Sequence, residues 1–112
     1  MPRGREQAAI PNPAPFLQLQ QDQPELVAAY ERFASLAHEA GPLSDRERRL
    51  VKLAFAIATS SEGATHSHAR QALEAGIGLA DLRHVAFLAA TTAGFPVTMR
   101  ALSWIHDVAD DA

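Results

Sequence analysis

The chain has 112 residues, a net charge of −3, 47% hydrophobic and 6% aromatic residues, and no cysteine. That length supports one domain burying roughly two-thirds of its unfolded surface, and the acidic balance argues against nucleic acid, which demands a basic stripe. The missing thiols exclude disulfides, thiolate zinc sites and thiol redox chemistry by this chain alone, and no run approaches the about 18 apolar residues needed to span a bilayer.

Residues 1–23 carry Pro2, Pro11, Pro13 and Pro15 and the glutamine-rich "LQLQQDQ". Proline at that density is taken to rule out regular helix. The segment reads as an extended arm that Phe16 and Leu17 would lay across a neighbouring subunit, or else as an untethered tail. A folded domain is expected over residues 24–112.

"PELVAAYERFASLAHEAG" opens with Pro24 at a helix-initiating position and stops at Gly41 before Pro42. Leu26, Ala29, Tyr30, Phe33, Leu36 and Ala37 recur at three-four spacing, which predicts one buried face. "SDRERRLVKLAFAIATS" pairs Ser44 with Glu47 as a capping box and carries Leu50, Leu53, Ala54, Ile57 and Ala58 as its stripe. Val51 and Phe55 widen that stripe, predicting a central helix, while "RERR" (Arg46 to Arg49) reads as a solvated face.

Ser60 or Ser61 can cap a third helix, "EGATHSHARQALEAG", ending at Gly76. A fourth, "LADLRHVAFLAATTAG", buries Leu82, Val85, Ala86, Ala89 and Ala93 and stops at Gly94. Pro96 begins a fifth, with Ala101, Leu102, Ile105, Val108 and Ala109 inward. No strand period or hairpin turn signal occurs, so the fold class is all-α with five to six helices. Alanine dominates the apolar set, and small side chains let helices approach closely. A chain this short and alanine-rich is expected to complete its core against copies of itself, as a homo-oligomer.

His66 and His68 are the candidate chemical residues, but two positions on a helix point about 200° apart, so they cannot jointly grip one metal. His66 lies in the polar row Glu62, His66, Arg70, Glu74 and reads as a surface residue in a ladder of ion pairs. His68 borders the small side chains Ala69, Ala72 and Gly76, either as a satisfied core residue or as the lining of a pocket. Metal and cofactor are not expected.

Taken together, "GPLSDRERRLVKLAFAIA", "HARQALEAG" and "LADLRHVAFLAATTAGFP" resemble the carboxymuconolactone decarboxylase family, which includes the alkylhydroperoxidase D-like antioxidant proteins. The likeness covers roughly residues 24 to 108. It implies a helical fold assembled as trimers or hexamers, with active sites in clefts near subunit contacts. The antioxidant members resemble one another by a glutamate, a Cys-x-x-C pair and a following histidine. Laid on this chain, that histidine falls on His68, the cysteines on Ser61 and Ala64, and the glutamate on Arg49. Serine and alanine cannot cycle through sulfenate and disulfide, and arginine cannot act as a base, so peroxidase activity of that kind is not expected.

The decarboxylase members lack the cysteine pair and keep a histidine in a setting similar to "HARQAL" (His68 to Leu73). Their chemistry implies a positive group for a carboxylate or developing enolate, and an acid to protonate carbon. The resemblance assigns His68 as general acid/base and Arg49 as anion clamp, with Ser61, Glu62 and Ala64 at the mouth. His84 and Asp81 stand where relatives have glutamates; His84 is a further substrate-binding candidate or an exposed side chain, and Asp81 can cap its helix. Three readings stay open: a cytoplasmic, cofactor-independent lyase on a small anionic metabolite, a non-catalytic binding or assembly protein of the same fold, and a redox role with thiols from a partner or a metal held by His68 with residues of another subunit.

Overall fold

The computed structural model describes residues 14–111, and among them all regular structure is helical: α1 Ala14–Asp22, α2 Pro24–Glu39, α3 Asp45–Ala58, α4 Glu62–Glu74, α5 Leu79–Ala89 and α6 Phe95–Asp111. None of these helices is long and apolar enough to cross a membrane. The described chain divides into two compact units, α1–α2 within residues 14–44 and α3–α6 within residues 45–111.

In the first unit, the expected extended arm is corrected over Ala14–Asp22, which is helical. Pro15 falls in the first turn, where a missing N–H has no intrahelical acceptor to disappoint. Gln18 Nε2 then donates to both Asp22 carboxylate oxygens, at 3.0 and 3.1 Å, one turn on. The rest of the expected arm, residues 1–13, lies outside the described residues. Pro24 starts α2 as anticipated. The predicted buried face of α2 is a second correction: Leu26, Tyr30, Phe33 and Leu36 are exposed, Phe33 to 68%, and only Val27 is buried. The three-four spacing made the stripe apolar, but within α1–α2 it packs on no core.

In the second unit, α3 packs on α4 and α5, and α6 closes the bundle against both α4 and α5. Leu53 and Ile57 of α3, Ala69 and Ala72 of α4, Leu82, Ala86 and Ala89 of α5, and Ala101, Ile105 and Val108 of α6 form one core. Alanines at the crossings let the backbones approach closely, and the branched residues fill the space between. The expected stripes of α5 and α6 hold at most positions, although Ala93 lies exposed beyond the end of α5. On α3, Leu53 and Ile57 are inward, yet Val51, Ala54, Phe55 and Ala58 are exposed, with Phe55 at 68%. The widened stripe thus faces two ways, one into the core and one outward.

Local signals set the helix ends. Gly76 (φ 92°) donates to Leu73 O and Ile77 to Ala72 O, both at 3.0 Å. This Schellman pattern ends α4 and turns Ile77 into the core. The same pattern ends α3, with Ser60 to Ile57 O at 2.9 Å and Ser61 to Ala56 O at 3.1 Å, but there the left-handed position is Ser60 (φ 54°) rather than glycine.

Candidate functional site

The turn closing α3 delivers Ser61 as the N-cap of α4, with extended backbone (φ −93°, ψ 109°). Its Oγ accepts from Ala64 N at 3.2 Å, satisfying one orphan donor of the first turn. Ser61 and Ala64 are both half-buried. The hydroxyl of Ser61 is therefore committed first to local structure.

Two turns along α4, His68 is half-buried, and its pKa is held below the ordinary 6.5 first by burial and then by the positive charge of Lys52. Both effects disfavour imidazolium. The cation that His68 senses is Lys52, on α3. Arg49, the expected clamp, lies one turn earlier on the same face of α3, and its Nε donates to Asp45 Oδ2 at 2.7 Å. Asp45 also receives Arg48 Nη2 at 3.5 Å. Lys52 was missed by the sequence reasoning; its i,i+3 relation to Arg49 was the available signal.

The surface assignment of His66 is corrected. The residue is 5% exposed, and its Nε2 lies 3.1 Å from Asp107 Oδ2 on α6. The polar row on α4 looked solvated, but α6 packs along it and supplies a partner for the buried ring. Glu62, expected at the mouth beside His68, belongs with this pair instead. Ligand atoms of Glu62, His66 and Asp107 all lie within 4.8 Å of one another, a group that could hold a metal ion. α4 thus presents two different histidine faces, one toward Lys52 and one toward Asp107.

His84 lies elsewhere. It is exposed and lines a groove of about 510 Å³ between α3 and α5, with Val51, Phe55, Val85 and Leu88 as its apolar wall. Arg46 Nη2 meets Asp81 Oδ1 there at 3.0 Å. The bond from Arg46 is the main cause holding the Asp81 carboxyl below its ordinary pKa. Asp81 also accepts from Gly78 N at 3.3 Å, the capping role expected of it. Nothing about this groove brings His84 to His68.

Comparison with curated proteins and with solved structures gives no match. The model of the carboxymuconolactone decarboxylase family matches residues 24–107, from the proline that opens α2 to the aspartate that meets His66. A match over most of the 112 residues, on an all-helical chain, places the protein: it belongs to the carboxymuconolactone decarboxylase family.

Proposed function

We propose that the protein is a cofactor-independent lyase or isomerase acting on a small carboxylated metabolite, with the reaction centred on His68. The observation that carries this reading is a half-buried imidazole on the face where α4 packs against α3, its pKa held below the ordinary value first by burial and then by the charge of Lys52. Such a ring is a base at rest. Lys52, with Arg49 one turn away, supplies positive charge for a substrate carboxylate or for an enolate oxygen as it develops.

In a carboxylated lactone, the bond between the ring carbon and its carboxylate breaks and carbon dioxide leaves. The electron pair passes into the lactone carbonyl as an enolate, which Lys52 stabilises. The carbon then takes a proton from the His68 imidazolium, which forms by taking one proton from solvent before each turnover and returns to the neutral ring, so the route consumes one solvent proton per carbon dioxide released. Where no carboxylate is lost, the same two groups perform an isomerisation, His68 lifting a proton beside the carbonyl and returning it at another carbon. Neither route asks for a thiol, and with Ser61 and Ala64 at the relatives' cysteine positions, thiolate attack on peroxide has no nucleophile in this chain.

A panel of carboxylated lactones, followed for carbon dioxide release, tests the reading. His68→Ala is expected to abolish turnover without loss of helix content, and Lys52→Met to cut it by about 10²-fold or more. Turnover equal to wild type in His68→Ala sinks the proposal.

The assembly reading rests on separate observations: the exposed stripe of α2 and the open apolar groove between α3 and α5. Apolar surface on this scale is costly to leave in water, and second copies of the chain are the proposed cover. Self-association as a trimer or hexamer is compatible with either function, since an assembled protein can hold a reaction site or only a binding pocket.

A further inference from the structure

We propose that Glu62, His66 and Asp107 form a binding site for a divalent transition-metal ion of the Zn²⁺ or Mn²⁺ class, apart from the His68 face. This inference does not depend on the lyase reading.

Glu62 and His66 stand four residues apart on α4 and so project from one face. Asp107 arrives from α6, 41 positions from His66, and one ligand atom from each residue falls within 4.8 Å of the others. The site has an inside and an outside. The His66 ring is 5% exposed and fixed by packing, with Nε2 turned toward the carboxylates, whereas Glu62 is exposed and able to swing inward. The separation of 3.1 Å between Nε2 and Asp107 Oδ2 is close to the edge of a tetrahedral ion with bonds of about 2.0–2.1 Å.

A hydrogen bond between imidazole and Asp107 requires no second carboxylate. Glu62 brought to the same point adds repulsion, which a dication relieves. One imidazole nitrogen and two carboxylate oxygens are a borderline-to-hard donor set with charge −2, suited to Zn²⁺, Mn²⁺ or Co²⁺. The set is too poor in oxygen for Ca²⁺ and has no soft ligand for Cu⁺. Three protein ligands leave a further position open toward solvent, the pattern of sites that carry a bound water.

The test uses the untagged full chain, stripped with chelator and titrated with Zn²⁺, and separately with Mn²⁺ and Co²⁺. One equivalent per chain is expected for at least one of these ions, with the unfolding midpoint raised by several degrees. Glu62→Gln, at an exposed position, is expected to weaken binding on the order of tenfold or more without lowering the metal-free midpoint, since it removes the carboxylate repulsion. Asp107→Asn keeps a hydrogen-bonding group against His66 and is expected to lose binding in the same way. Absence of stoichiometric uptake of all three ions overturns the proposal and leaves a hydrogen-bonded tie. Uptake undiminished in both variants overturns it equally, because the ion is then held elsewhere.

Discussion

His66 Nε2 lies 3.1 Å from Asp107 Oδ2, joining the first half of α4 to the last turns of α6. The bond satisfies a nearly buried imidazole, and a polar ring left inside without a partner carries its full desolvation cost. Asp107→Ala is therefore expected to lower stability by about 1–3 kcal/mol in urea unfolding of the metal-free protein. Asp107→Asn, which retains a hydrogen-bonding group at the same reach, should lose less than half as much. Equal stability of Asp107→Ala and wild type would mean that the ring is held by packing alone.

Two buried threonines make opposite demands on the same kind of substitution. Thr98 Oγ1 donates to Ala86 O at 2.6 Å, near the C-terminal end of α5, whereas Thr65 is fully buried and its Oγ1 has no hydrogen-bond partner among the described residues. Valine replaces either residue at nearly constant shape. Thr98→Val strands a carbonyl and is expected to cost about 1–3 kcal/mol. Thr65→Val removes a hydroxyl that makes no bond to the described residues, and should be neutral or stabilising by up to about 2 kcal/mol. Paired thermal and urea unfolding of the two variants checks this, and the same sign for both refutes the distinction.

Which parts of this arrangement could be read from sequence follows from distance along the chain. Pro24 at the start of α2 and Gly76 at the end of α4 act on their own neighbours, so residue type and spacing sufficed, while the cap of α4 was narrowed only to Ser60 or Ser61, of which the structure uses Ser61. The helical pattern also identified the inward residues Leu53, Ile57, Leu82, Ala86, Ile105 and Val108. His66 could not be read this way, because its row on α4 is polar and its partner is 41 positions away. Lys52 was hidden for a similar reason: its effect on His68 arises where two helices pack, not within either one. The α2 stripe was legible as apolar, but periodicity says only that a face needs covering, never what covers it.

That uncovered stripe makes a measurable prediction. If copies of the chain cover Leu26, Tyr30, Phe33 and Leu36, or the groove beside Phe55, a charge placed in either surface must be desolvated on assembly. Phe33→Glu and Phe55→Glu are expected to shift the protein toward monomer in size-exclusion chromatography with light scattering, with helix content retained. Both side chains are exposed in the single chain, so neither change should impair folding of the monomer. A wild-type protein that is monomeric throughout the micromolar range would remove the assembly reading.

The sharpest pH signature belongs to His68. Burial first, then the Lys52 charge, lowers its pKa in the folded protein below the 6.5 of an unperturbed ring. Between those two values the unfolded chain binds the extra proton and the folded chain does not, so stability rises with pH across that window. The favourable difference is fully present above 6.5; it declines as pH falls through the window and levels off below the folded value. His68→Gln should flatten this slope, and Lys52→Met should narrow the window by raising the folded pKa, since the smaller of the two causes is then gone. Proton-resonance titration of the His68 ring reads the shift directly. Under the proposed chemistry the isomerisation, in which His68 acts first as a base, gains rate with pH through the same low pKa, whereas the decarboxylation, in which the imidazolium protonates carbon, loses rate through it; Lys52→Met moves either profile upward together with the ring's titration. A ring that titrates at or above 6.5 would show it to be solvated and away from Lys52, and would withdraw the His68–Lys52 pairing on which the proposed site depends.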